Sequence, residues 1–139
     1  MVKFGLIGRN ISYSFSKKYF EQKFHQLSLP DYSYDLFDIQ QIEEIEKTFS
    51  IDNLRGLNVT IPYKEQVIPF LDELSDEAEK IGAVNCILIK NGKKTGYNTD
   101  VFGFEKSLLT YPKILSEKAL ILGNGGAAKA VKYIFDKYN

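Results

Sequence analysis

The apolar and polar positions fall into short blocks whose period changes along the chain. Residues 3–8 (KFGLIG) form an apolar run ending in glycine, the pattern of a buried strand. From Ser16 onward, Phe20, Phe24 and Leu27 recur at helical spacing and predict an amphipathic helix that stops before Pro30. Residues 32–39 alternate aromatic or aliphatic with polar side chains, predicting a second strand, and Ile42, Ile45 and Phe49 mark the buried face of a second helix. Residues 54–61 (LRGLNVTI), rich in β-branched side chains and closed by Pro62, predict a third strand. Two short helical pieces fit 64–74 and 75–81, the second capped by Ser75. Residues 84–90 and 93–97 predict a hairpin across Asn91-Gly92, and Asp100 is placed as the N-cap of a helix running to Leu109, ahead of Pro112.

Strands alternating with helices imply an α/β domain: a three-layer, mostly parallel sheet with an antiparallel edge hairpin. A second unit then starts. Residues 118–122 (KALIL) predict a buried strand, Gly123 to Ala127 a glycine turn, and Ala127, Val131, Ile134, Phe135 and Tyr138 the apolar face of a helix. That order opens a Rossmann-like dinucleotide-binding domain, whose sheet needs more strands than follow, so the chain reads as truncated within it. The expected division is 1–100 for a first domain, 101–117 for a connecting helix and linker, and 118–139 for the start of the second.

Composition narrows the function more than the fold. In 139 residues, 18 Lys plus Arg balance 18 Asp plus Glu, so no global field draws in nucleic acid or an anionic membrane. Any anion site must therefore be local. A domain of this size buries roughly 68–70% of its unfolded surface, enough for a core without metals or disulfides. The single cysteine, Cys86, cannot make an internal disulfide and fits a reducing, cytoplasmic compartment. Residues 1–8 lack a signal-peptide pattern, no apolar run is long enough to span a bilayer, and no metal site is expected.

Several side chains have spacing suited to chemistry, each with a plainer alternative. Ser14 and Ser16, one residue apart, would point two hydroxyls to one side for a carboxylate; alternatively Ser16 simply caps a helix. Asn58 and Thr60 alternate out of the third strand at the edge where open α/β sheets bind ligands, and Lys64 follows just beyond Pro62. A positioned lysine can act as general acid or base, while a lone one is usually a solvated surface group. Asp100 could pair with Lys64 or only cap its helix. Asn85, with a donor and an acceptor, suits a hydroxyl-bearing ligand or a turn. The Gly123-Asn124-Gly125-Gly126-Ala127 turn lets backbone approach a pyrophosphate at a helix N-terminus, or is a glycine-rich connection with no ligand. His25 sits in the first helix without a motif and is read as structural.

In order along the chain, Ile11-x-x-Ser14-x-Ser16, Asn58-Val59-Thr60-x-Pro62-x-Lys64, Gly82-Ala83-Val84-Asn85 and Asn98-Thr99-Asp100-x-x-Gly103, followed by the glycine turn, resemble the shikimate dehydrogenase family. The resemblance implies an enzyme of aromatic amino-acid biosynthesis that reduces 3-dehydroshikimate to shikimate with NADPH, as a monomer or homodimer. By that resemblance Lys64 and Asp100 are catalytic, with Lys64 exchanging the proton at the reacting carbonyl. Ser14 and Ser16 would bind the carboxylate, and Thr60 and Asn85 with Asp100 the ring hydroxyls, with Asn58 nearby. Asp76 and residues Gly123, Asn124, Gly125, Gly126 and Ala127 would face NADP; NAD stays open, because the residues that select between them would lie beyond position 139. Two other readings fit the motifs less fully: a non-catalytic shikimate- or quinate-binding module, and an NAD-dependent quinate/shikimate dehydrogenase. Lys17, where relatives often have Pro, adds a cation beside the carboxylate loop.

Overall fold

Six strands form one sheet in the computed structural model, which describes residues 1–111, 113, 114 and 117–138. They are β1 (Val2–Gly8), β2 (Tyr32–Asp38), β3 (Leu54–Val59), β4 (Glu73–Leu74), β5 (Cys86–Lys90) and β6 (Lys93–Tyr97), in spatial order β2-β1-β3-β5-β6-β4. The helices are α1 (Ser16–Gln26), α2 (Ile45–Phe49), α3 (Asp76–Ile81), α4 (Thr99–Leu108) and α5 (Gly126–Tyr138). β1 pairs parallel with β2 and β3, β5 runs antiparallel to β3 and β6, and β4 joins β6 in parallel. The α/β class follows from the alternating blocks, and the sheet is mixed.

Alternation along the strands divides the core. Ile7, Leu57, Val59 and Ile87 face one layer with Ile45, Tyr63, Val67 and Ala78, while Phe4, Leu6 and Tyr34 face α1 through Phe20 and Phe24. A third cluster joins Val101 and Leu108 of α4 to Ala130 and Ile134 of α5, over Ile81 and Ala83. Ser75 caps α3 as expected, accepting from Ala78 N–H at 3.2 Å. Asn91 and Gly92 both have positive φ, 53° and 78°, as the two-residue turn requires.

Five expectations are corrected. The hairpin β5-β6 is not the edge, because β4 pairs outside it. Residues 64–74 are turns, a 3-10 segment, Ile68–Phe70, and the short strand β4, not a helix; Pro69 has no N–H to continue one, and Asp72 N–H and Ser75 N–H donate to the β6 carbonyls of Lys94 and Gly96 instead. Asn98 occupies the cap position of α4, with Asp100 inside its first turn. Phe15 occupies that of α1, so Ser16 is no cap; its N–H donates to Ser14 Oγ at 3.2 Å. Residues 118–122 form no strand, and Leu120 and Leu122 are 85% and 88% exposed, because no strand among the described residues lies beside them to complete a ladder. Pro112, Leu115, Ser116 and Asn139, within the expected linker and second unit, lie outside the described residues. No helix among the described residues is long and apolar enough to cross a membrane.

Polar contacts reinforce the α4-α5 cluster. Lys137 Nζ and Tyr138 O–H each donate to Glu105 Oε1 at 2.6 Å, and the lysine bond above all holds that carboxyl below the ordinary glutamate range. A depressed carboxyl contributes stability in full above its unfolded value, near 4.5, and loses it as pH falls through the lower folded value. The melting-temperature gap between wild type and Glu105→Gln is therefore expected to be constant at neutral pH and to close in acid. A gap that does not change with pH would refute this assignment.

Candidate active site

Beyond Val59 the chain crosses the C-terminal ends of the parallel strands, where α/β sheets bind ligands. Thr60 N–H donates to Ile7 O at 2.9 Å, Tyr63 N–H to Thr60 O at 2.9 Å, and Val84 N–H to Lys64 O at 2.7 Å. Tyr63 is buried, and its hydroxyl donates to Ile39 O at 2.8 Å. The backbone around Lys64 is thus pinned from three directions. Its side chain is 18% exposed, and Nζ lies 2.6 Å from Asp100 Oδ2.

Asn85 fixes the other carboxylate oxygen. Its backbone bridges two strands, with Val59 N–H donating to Asn85 O at 2.9 Å and Asn85 N–H to Tyr97 O at 3.0 Å. Thr99 N–H donates to Asn85 Oδ1 at 2.8 Å, and because a backbone N–H can only donate, the amide orientation is decided. Asn85 Nδ2 then donates to Asp100 Oδ1 at 2.8 Å and to Thr99 Oγ1 at 2.9 Å. Asp100 sits in the first turn of α4, where the helix dipole favours a carboxylate. The result is a relay of fixed groups, Thr99 to Asn85 to Asp100 to Lys64, with the ammonium at its open end. Asn98 supports it from behind: buried, it donates Nδ2 to Ala83 O at 3.0 Å, and its Oδ1 is buried without a partner among the described residues.

Ser14 and Ser16 come together, Ser14 O–H donating to Ser16 Oγ at 3.1 Å at the start of α1, although Phe15 between them is helical (φ −78°, ψ −8°) and not extended as the alternation argument assumes. Their loop is held by Asp38, whose carboxylate accepts from Asn10 N–H at 2.9 Å and Ile11 N–H at 3.1 Å. It meets the Thr60 end of β3 at Gly8, where an added Cβ would lie 2.6 Å from both Ile11 Cγ2 and Thr60 Cγ2. Lys17 turns to β2, its Nζ 2.9 Å from Asp35 Oδ1, a hydrogen bond that raises its pKa. Asn58 bonds not to Lys64 or Asp100 but to Tyr34, whose O–H donates to Asn58 Oδ1 at 2.8 Å. Asp76 is exposed at the start of α3, and among the described residues no hydrogen bond or ion pair links it to the Lys64 group.

The glycine turn closes over this site. A cleft of about 500 Å³ lies between Thr60–Glu65 on one side and Gly123, Gly125, Gly126 and Ala127 on the other; Asn124, within the same turn, is exposed. Gly126 begins α5, and a Cβ there would stand 2.9 Å from Lys64 Cβ. Only glycine lets this helix come so near the lysine. Lys129 Nζ reaches Glu65 Oε2 at 2.5 Å and ties α5 to the same loop. The contributions of Tyr34, Asp38, Asn98 and Thr99 escaped the sequence reading. Asn98 and Thr99 lay inside a quoted motif, whereas Tyr34 and Asp38 carried no local signal.

Residues 6–87 match the model of the shikimate dehydrogenase substrate binding domain. This chain belongs to the shikimate dehydrogenase family. Over 139 residues it is 45% identical to the shikimate dehydrogenase (NADP(+)) of Chlorobium chlorochromatii, covering 97% of this chain and 48% of that protein. Shikimate dehydrogenase 1 of Peptoclostridium difficile superposes with a TM-score of 0.87 at 38% identity, over 99% of this chain and 53% of that one. The enzyme of Thermus thermophilus in complex with NADP(H) and shikimate does so with a TM-score of 0.83 at 33% identity, over 99% and 52%. The chain spans about half the length of these relatives.

Proposed function

We propose that the protein carrying this sequence is a shikimate dehydrogenase that interconverts 3-dehydroshikimate and shikimate with NADP(H). The observation that carries this reading is the Lys64–Asp100 pair, locked by Asn85 at the ligand-binding edge of a sheet whose relatives bear that name. Ser14 and Ser16 supply paired hydroxyls for the carboxylate of a small acid, and Thr60, Asn85 and Asp100 supply polar groups for its ring hydroxyls. Residues 1–100 serve as the substrate-binding part, and 118–138 contribute the start of the cofactor-binding part.

The glycine turn fits a dinucleotide phosphate. Gly123 has φ of +116°, nothing stands within 4 Å of where a Cβ on Gly123 or Gly125 would be, and the cleft runs from this turn to Lys64. The residues that would hold the pyrophosphate are Gly123, Gly125, Gly126 and Ala127 at the N-terminus of α5. NADP, when bound, supplies or accepts a hydride. Lys64 Nζ holds the proton at the oxygen of the reacting carbon, giving it to the carbonyl oxygen in reduction and taking it from the hydroxyl in oxidation. Asp100 Oδ2 aims Nζ at that oxygen and balances its charge, while Asn85 keeps Asp100 from rotating away.

Supplied with shikimate and NADP, the protein carrying this sequence is expected to generate reduced cofactor, followed by its absorbance. Binding of shikimate without turnover would contradict the reading and favour a binding module; faster turnover of quinate with NAD would move it to that neighbouring activity. The 139-residue polypeptide by itself is expected to show no turnover, since residues 118–122 leave Leu120 and Leu122 uncovered.

A further inference from the structure

We propose that Tyr34 is a positioning residue of the substrate site, fixing the Asn58 carboxamide so that Nδ2 is presented as a donor between Ser16 and Thr60. The inference rests on the functional reading above for its ligand. Tyr34 lies on β2 and Asn58 on β3, with β1 between them; Leu6 is in register with Leu36 and with Asn58. The tyrosine side chain therefore reaches diagonally across β1, and its buried O–H donates to Asn58 Oδ1 at 2.8 Å.

A phenol that donates to Oδ1 leaves Nδ2 as the outward donor, and turning the amide over would set donor against donor unless the phenol also reoriented. Burial raises the phenol's pKa, so it keeps its proton. The direction of Nδ2 follows from two alternations. Asn58 on β3 and Thr60, the residue just past its end, are two residues apart, and Thr60 Cγ2 lies by Ile11 of the α1-facing cluster. Ser16 and Phe20 share a face of α1, one turn apart, and the Phe20 ring stacks on Tyr34 with centroids 4.3 Å apart and planes 10° from parallel. One aromatic stack thus sets both the helix that carries Ser16 and the amide beneath it. A buried tyrosine needs a partner, and a backbone carbonyl would satisfy it equally. Here the partner is a side chain, the Asn58 amide, and through it the apolar layer is coupled to the proposed substrate site.

Tyr34→Phe keeps the stack and removes only the hydroxyl. In the protein carrying this sequence the KM for shikimate is expected to rise roughly three- to tenfold with kcat nearly unchanged, the pattern of lost ground-state binding. Asn58→Ala should raise KM comparably, and adding Tyr34→Phe to it should do nothing further. Nitrogen-15 NMR of the Asn58 side-chain amide gives a readout independent of any ligand: its two proton signals should be sharp in wild type and shifted or broadened in Tyr34→Phe. An unchanged Asn58 amide in Tyr34→Phe, or KM effects that add in the double variant, would overturn the inference. If wild type does not act on shikimate, the functional reading fails, and the amide signals still decide whether Tyr34 sets Asn58.

Discussion

Lys64→Ala is expected to lower kcat for shikimate oxidation by about 10²–10⁴-fold, the range for loss of a positioned acid–base group, while KM changes far less. The reason is geometric. The backbone on both sides of Lys64 is pinned, its side chain is mostly enclosed, and Nζ is the proton-carrying end of the Thr99, Asn85, Asp100 chain that lies at the cleft lined by Lys64. Truncation removes that proton and leaves the Asp100 carboxylate without its cation. Steady-state kinetics on a variant whose circular dichroism matches wild type would check this. A kcat within a few-fold of wild type would show that another group handles the proton.

Asp100→Ala should be the second most damaging change, lowering kcat/KM by about 10²-fold or more. It breaks two hydrogen bonds to charged oxygens at once, from Lys64 Nζ and from Asn85 Nδ2, each worth about 1.5–3 kcal/mol. The ammonium, at the end of a side chain only 18% exposed, loses its counter-charge and its aim. Because the two residues act as one unit, Lys64→Ala with Asp100→Ala should be little slower than Lys64→Ala alone. Kinetics of the double variant check this: losses that multiply would mean Asp100 works independently of the lysine.

The elements that could be read from the chain were those whose signal is local. The alternation in residues 32–39, the Asn91-Gly92 turn and the Ser75 cap each depend on neighbours within a few positions, and each is formed. The two-residue strand Glu73–Leu74 depends instead on β6 being beside it, and Pro69 breaks the helical pattern that conceals it. Residues 118–122 have the composition of a strand, yet a strand is a paired object, and no ladder forms there. The site follows the same division. Asn85, Lys64 and Asp100 stood in motifs, but the motifs left Asp100 divided between cap and ion pair; only the packing of α4 beside the Lys64 loop resolves it. Asn58 stands two residues before Thr60, yet its oxygen is taken by a tyrosine 24 residues away, a partner no spacing rule identifies.

The claim on which the rest depends is that Ser14, Ser16, Thr60, Lys64, Asn85 and Asp100 form one site for a small hydroxylated acid. The most direct measurement is a titration with shikimate followed by amide NMR shifts, with no cofactor present. The account predicts saturable shifts that are largest at those six residues and weakened in Asp100→Ala. No shifts, or shifts centred on the opposite end of the sheet around Asn91 and Gly92, would contradict it.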